Sequence, residues 1–252
     1  MTNHRWDPSQ YLKFGDERTR PFVDLIARIP GDARTVVDLG CGAGNDVAPL
    51  RARFPGAAIH GVDSSAEMID RARSDIQDPN VSFEVADAAA WRPDGARPDV
   101  IVSNAMFQWI DRHIELLPGI ADAAAQAFAF QVPGNQDAPS HALLAEVAAE
   151  FGITGYRTVD VRDPAEYLAA LHRPGWTVDV WETTYLHVLQ GADAVFEWIS
   201  GTGARPVLAR LDGAVKDDFV ARYKAELNSA YPPQEYGTVL PFRRIFAVAA
   251  RN

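Results

Sequence analysis

Val37-Asp38-Leu39-Gly40-Cys41-Gly42-Ala43-Gly44-Asn45 is the stretch that decides how this chain folds. The apolar run from Thr35 to Leu39 reads as a strand buried on both faces, where no polar alternation is needed. Three glycines at alternate positions end it. Glycine lets a backbone turn sharply and lets a ligand approach with no Cβ in the way. A helix is predicted from about Asn45 to Phe54, and N–H groups at a helix start favour anionic or polar oxygens. A second strand, Ala58 to Val62, leads to Asp63, 19 residues beyond Gly44. A carboxylate at that place can accept both hydroxyls of a ribose.

Working outward, Phe22, Leu25, Ile26 and Ile29 share one face of a helix over 16–29. Ser64 and Glu67 have capping-box spacing and open a helix with Met68, Ile69 and Ala72 inward. Strands are predicted at Val81–Val85, Val100–Ser103 and Ala127–Val132, with a helix over 111–125. Strands alternating with helices at this spacing mean βαβ units. The fold class is therefore α/β, a doubly wound and mostly parallel sheet. After about residue 134 the rhythm changes. Helices are expected over 140–151, 164–171, 192–200 and 216–230, and strands at Thr177–Trp181, Tyr185–Leu189 and Ile245–Ala249. Phe219, Val220, Tyr223 and Leu227 form an apolar stripe that reads as core. The expected division is a lid and first helix (1–30), a ligand-binding core (31–134), a substrate cap with remaining core elements (135–236) and the last strands (237–252).

The 252 residues are 47% hydrophobic and 23% charged, an ordinary globular composition that excludes a disordered or fibrous chain. No run approaches a membrane span, and the opening MTNHRWDPSQ predicts no secretory leader. Cys41 is the single cysteine, so a cytoplasmic location is expected. The net charge of −10 disfavours nucleic acid and anionic membranes as partners, and no obligate protein partner is evident. The segment 201–252 is the exception, with eight lysines and arginines against five acids; this suits an anionic small molecule. The six histidines lack paired ligand spacing, so no metal site is expected.

Two ligand classes use a strand, glycine turn and helix. The dinucleotide pattern wants a small residue at position 45, where this chain has Asn45. The string with Asp38, D-x-G-x-G-x-G, instead resembles motif I of class I S-adenosylmethionine-dependent methyltransferases. The resemblance implies a seven-stranded Rossmann-like sheet and a binding site for S-adenosylmethionine (SAM), with S-adenosylhomocysteine as product. It also implies roles for Asp38, Gly40, Cys41, Gly42 and Gly44 around the amino-acid end, Asp63 and Ser64 at the ribose, Asp87 and Ala88 at the adenine, and Asn104 on the methyl side. Tyr11 and Arg20 would close over the ligand.

Farther along, the chain resembles the trans-aconitate methyltransferases nearly end to end. The carrying stretches include Trp6-Asp7-Pro8-Ser9, Asn104-Ala105-Met106-Phe107-Gln108-Trp109, Gln131-Val132-Pro133-Gly134-Asn135, Val178-Asp179-Val180-Trp181 and Phe242-Arg243-Arg244-Ile245-Phe246. The chain lacks the L-x-P-G-G type loop usual before the fifth strand, running Ala123-Ala124-Ala125-Gln126 instead. The implied reaction is esterification of one carboxylate of trans-aconitate. An ionised carboxylate needs no general base, so catalysis is expected to be positioning, with His141 and Tyr185 the candidates for more. Candidate acceptor contacts are Gln108, Trp109, Asn135, His141, Tyr185, Arg205, Tyr231, Arg243 and Arg244, arginine gripping a carboxylate in two places. The alternatives are another small carboxylic acid, carrier-bound malonate or a carbon acceptor with the same methyl donor, an NAD-dependent oxidoreductase, and a non-catalytic binding module.

Overall fold

The computed structural model describes residues 15–155 and 159–252, with side chains from Thr19 onward in the first helix. The elements run α1 (Gly15–Ala27), β1 (Thr35–Leu39), α2 (Val47–Arg53), β2 (Ala58–Asp63), α3 (Ala66–Asp75), β3 (Val81–Val85), β4 (Val100–Asn104), α4 (Leu117–Ala123) and β5 (Ala127–Pro133). They continue with α5 (Pro139–Glu150), α6 (Pro164–Leu171), β6 (Trp176–Leu189), α7 (Ala194–Ser200), α8 (Arg205–Leu208), α9 (Gly213–Ala230) and β7 (Thr238–Arg251). One seven-stranded sheet has the order β3-β2-β1-β4-β5-β7-β6. The pairs β1–β2, β2–β3, β1–β4 and β4–β5 are parallel, and β7 runs antiparallel to β5. The order reverses at β1, flanked by β2 and β4. In an open α/β sheet that reversal opens a crevice at the strands' carboxyl ends.

The chain divides into two compact units. The first, Arg18–Gly134, Val159–Thr183 and Arg244–Asn252, holds the parallel part of the sheet. Its core is the fully buried Leu39, Val62, Ile101, Phe107, Phe128 and Phe130 with Tyr167 from α6. Phe107 meets Phe128 and Phe130 edge-on, a favoured aromatic geometry. The second unit comprises the described parts of Asn135–Thr158 and Thr184–Arg243. It has its own core, in which Leu144 and Val147 of α5 pack with Trp198 of α7 and Phe219, Tyr223 and Leu227 of α9. The apolar stripe on α9 is therefore core, as its spacing predicts.

Four local expectations are corrected. Ser65, not Ser64, caps α3: its side chain accepts from the Met68 N–H at 3.3 Å. Glu67 therefore sits in the first turn, where it complements the helix dipole. The helix expected over 111–125 is shorter and starts at Leu117. Before it lie two short 3-10 turns, with Arg112 left-handed at φ 57° and Pro118 at the helix start, where its missing N–H costs nothing. The two strands expected within 177–189 form one strand of 14 residues. The final strand begins at Thr238 rather than Ile245, which places Arg243 and Arg244 inside it. The turn after α4 closes without a proline-glycine loop, because the Ala125 and Gln126 N–H groups bond to the carbonyls of Pro98 and Asp99 at 2.7 and 2.9 Å.

Candidate methyl-donor and acceptor site

The glycine turn is fastened by its own backbone. The N–H groups of Gly40 and Cys41 both bond to the Val62 carbonyl at 2.7 and 3.1 Å, and the Gly44 N–H bonds to Cys41 at 2.9 Å. Asp63 bridges two elements: one oxygen accepts from the Gly42 N–H at 3.0 Å and the other from the Ser65 N–H at 2.8 Å. All three glycines have positive φ, between 53° and 80°. Their Cβ directions differ. A Cβ on Gly40 would lie 2.4 Å from Met106 and one on Gly44 2.4 Å from Ile76, whereas one on Gly42 would meet nothing within 4 Å. Gly42 is thus the point where the turn faces open space, and its neighbours are glycines for packing.

Asp38, next to last in β1, has only 1% of its surface exposed. Neither carboxylate oxygen has a hydrogen-bond partner among the described residues. Burial, reinforced by the charges of Asp46 and Asp63, holds its carboxyl well above the usual range. Asp46, also buried, is pushed up to about 7 by burial, against the pull of a hydrogen bond from Asn104. An unpartnered buried carboxylate is costly. It gains most from a cationic ligand that donates hydrogen bonds, and three carboxylates here repel a pyrophosphate. The N–H groups of Gly40, Cys41, Gly42 and Gly44 are also committed to holding the turn. The site fits an ammonium-bearing nucleoside and not a dinucleotide.

The remaining methyl-donor candidates sit at the same strand ends. Ser64 is exposed. Asp87 follows β3, exposed, its side chain accepting from the Ala89 N–H at 2.9 Å; Ala88 beside it is buried. Cys41 is a buried thiol whose pKa is pushed far up by burial and the nearby carboxylates. That marks it as packing rather than as a nucleophile. Asn104 ends β4, and Ala105 after it is strained, at φ 54°; such outliers concentrate at functional sites. Arg20 is exposed on α1, and Tyr11 lies outside the described residues.

The acceptor candidates separate between the two units. Gln108, Trp109 and Arg244 belong to the sheet unit. Gln108 is buried, its amide donating to the Ala105 carbonyl while its own oxygen has no partner among the described residues. Trp109 is 41% exposed. Arg244 is buried and donates to the Gln131 side chain at 3.1 Å. The second unit holds Asn135, His141, Tyr185, Arg205, Tyr231 and Arg243. Burial lowers the pKa of His141, which favours the neutral ring near pH 7. The Tyr231 hydroxyl accepts from the Ser140 N–H at 3.0 Å. Tyr185 is buried with its ring stacked on His187, which stacks on Trp198 at 4.6 Å. Arg205 and Arg243 are half-buried. Sequence reasoning missed Asp46, Gln131 and the strained Ala105 as site residues. Gln131 and Ala105 carried a signal, as parts of the Gln131–Asn135 and Asn104–Trp109 stretches; Asp46 carried none. Among the described residues no group of histidine, cysteine and acid side chains is arranged to hold a metal.

A parallel sheet with a glycine turn at the order reversal, an acid next to last in β1 and another at the end of β2 defines a class I SAM-dependent methyltransferase. The family described as "Methyltransferase domain" matches residues 36–126. The chain is 48% identical to a trans-aconitate 2-methyltransferase of Streptomyces avermitilis, over 98% of this chain and 97% of that protein. It is 46% identical to one of Methylobacterium nodulans, over 98% of each. The crystal structure of the YcgJ protein from Bacillus subtilis has the same fold, with a TM-score of 0.58 and 14% identity over 94% of this chain and 98% of that one. The chain belongs to the trans-aconitate 2-methyltransferase family.

Proposed function

We propose that this chain transfers the methyl group of SAM to one carboxylate of trans-aconitate, releasing the monomethyl ester and S-adenosylhomocysteine. The observation that carries the reading is Asp38: buried, without a hydrogen-bond partner among the described residues, beside a turn whose open point is Gly42. Asp38 receives the amino-acid ammonium, Gly42 gives room for the ligand's approach, Asp63 takes the ribose and Asp87 the adenine. Ser64, Ala88, Cys41 and Asn104 line the same strand ends, with Arg20 closing over them. SAM supplies an electrophilic methyl on a sulfonium whose charge disappears on transfer. The acceptor oxygen is ionised near pH 7 and needs no base, so the protein's task is alignment and exclusion of water.

A tricarboxylate demands cations, since burying unpaired charge is costly. Arg244 is the buried guanidinium, and Arg205 and Arg243 supply further charge. Gln108, which is buried, and Trp109 form part of the wall of the acceptor pocket. Neutral His141 with Asn135, Tyr185 and Tyr231 adds hydrogen-bonding groups.

The test is transfer of labelled methyl from SAM to a panel of carboxylic acids. Trans-aconitate is expected to lead, with turnover falling steeply through di- to monocarboxylates; a flat profile overturns the assignment. Arg244→Ala should raise the KM for trans-aconitate roughly tenfold or more, the loss of a charge-assisted contact, with the KM for SAM little changed. Equal effects on both would remove Arg244 from the acceptor pocket.

A further inference from the structure

Asp46 stands at the N-cap position of α2 but makes no side-chain cap there. Its buried carboxylate turns instead to β4 and accepts from the Asn104 amide at 3.0 Å. The oxygen of Asn104 accepts from the Gln131 amide on β5. The oxygen of Gln131 accepts from the Arg244 guanidinium on β7 at 3.1 Å. Gln131 is 1% exposed, and Asn104 and Gln131 are register partners on adjacent strands. Four side chains thus form one chain of hydrogen bonds across three neighbouring strands.

We propose that Asp46 and Gln131 are positioning residues that, through Asn104, fix the guanidinium of Arg244 for the acceptor's carboxylate. The proposal rests on Arg244 being an acceptor contact, as assigned above. Its physical basis is direction. A guanidinium only donates and an ionised carboxylate only accepts. The two amides between them each have one donating and one accepting end. With Asp46 ionised, the two termini permit a single orientation of both amides, and turning over either one sets donor against donor or acceptor against acceptor. Removing the acidic terminus leaves the Asn104 amide N–H without its buried acceptor, so Asn104 and, through it, Gln131 are held from one end instead of two, and the acceptor that Gln131 offers Arg244 is held less firmly. The raised pKa of Asp46 accords with this burial. The facing charges, Asp38 and Asp63, lie on the methyl-donor side of the same turn.

The experiment is a double-mutant cycle on the full chain with Asp46→Ala, Gln131→Leu and both together. Wild-type methylation of trans-aconitate is measured first, so that failure of the reaction assignment shows separately. Each single substitution is expected to raise the KM for trans-aconitate roughly tenfold, the scale of a hydrogen bond to a charged group. The double substitution should be no worse than the weaker single variant, because both break one chain. S-adenosylhomocysteine should bind Asp46→Ala as tightly as wild type or tighter, since removing that charge eases ionisation of Asp38. Asp46→Asn, which keeps an acceptor for Asn104, should recover part of the loss and serves if Asp46→Ala fails to fold. Additive effects, an unchanged KM for the acceptor, or a parallel loss of S-adenosylhomocysteine affinity would each overturn the proposal.

Discussion

The carboxyl ends of β1 and β2 are organised by backbone, and those of β4 and β5, with the neighbouring stretch of β7, by side chains. In the first region the partners are N–H groups of the glycine turn, the Val62 carbonyl and the Asp63 carboxylate. In the second they are Asn104, Gln131 and Arg244, joined through amides. Backbone donors are removed only by substitution to proline, so the first region is sensitive mainly to what glycine makes possible. The second depends on the identity of each side chain. Asp46 belongs to both, placed by the turn and bonded to β4.

The comparison breaks most visibly at the glycines. Gly42→Val fills the open point of the turn, and S-adenosylhomocysteine affinity should fall roughly 100-fold or more, about 2.7 kcal/mol. Gly42→Asn, a residue that tolerates positive φ, should lose affinity while keeping near wild-type melting; intact affinity in calorimetry would move the ligand elsewhere. Gly44→Ala should act on stability instead. Its Cβ would press on Ile76 and Phe83 at 2.4 and 3.3 Å with φ at +80°. Overpacking and backbone strain together predict a cost of about 2–4 kcal/mol, a melting temperature lower by roughly 5–12 °C. An unchanged melting curve would contradict the packing role.

A smaller effect separates the carboxylates. Asp38 and Asp46 have pKa values raised in the folded chain, so the unfolded chain loses their protons first. Their contribution to stability is fully present below about pH 4, the unfolded pKa, and is lost as pH rises towards about 7, where Asp46 titrates. Asp38→Asn should flatten that decline in ligand-free protein while weakening S-adenosylhomocysteine binding. A melting profile against pH that is unaltered by Asp38→Asn would contradict the burial cost assigned to it. The smallest effect is expected at Cys41: with its thiol pKa raised, it should resist alkylation at pH 8 until the protein unfolds.

The same division explains what the sequence made legible. Strand, glycine turn and following acid lie within 26 residues, from Asp38 to Asp63. Local patterning therefore locates Asp38, Gly42 and Asp63, although it does not show that Asp63 holds the Gly42 N–H or that Gly40 and Gly44 are small for packing. The amide chain joins residues 58, 27 and 113 positions apart, separations that carry no periodic signal. Asp46 illustrates the difficulty: an acid at a helix start reads as a cap, yet here it caps nothing. The last strand expected from the pattern begins after Arg244, at Ile245, and only its longer run, from Thr238, shows Arg244 opposite Pro133 of β5. The helix expected over 111–125 failed where Arg112 turns left-handed, a conformation that arginine's type does not announce.

The measurement closest to the centre of this account is calorimetric titration of the protein with S-adenosylhomocysteine near pH 7, in two buffers of different ionisation enthalpy. If the ligand's ammonium meets the buried carboxyl of Asp38, which burial biases towards its protonated form in the ligand-free chain, binding draws that group towards ionisation, and the two apparent enthalpies should differ by the protons released times the difference between the buffers' ionisation enthalpies. Tight binding with identical enthalpies in both buffers, or no binding at all, would contradict it.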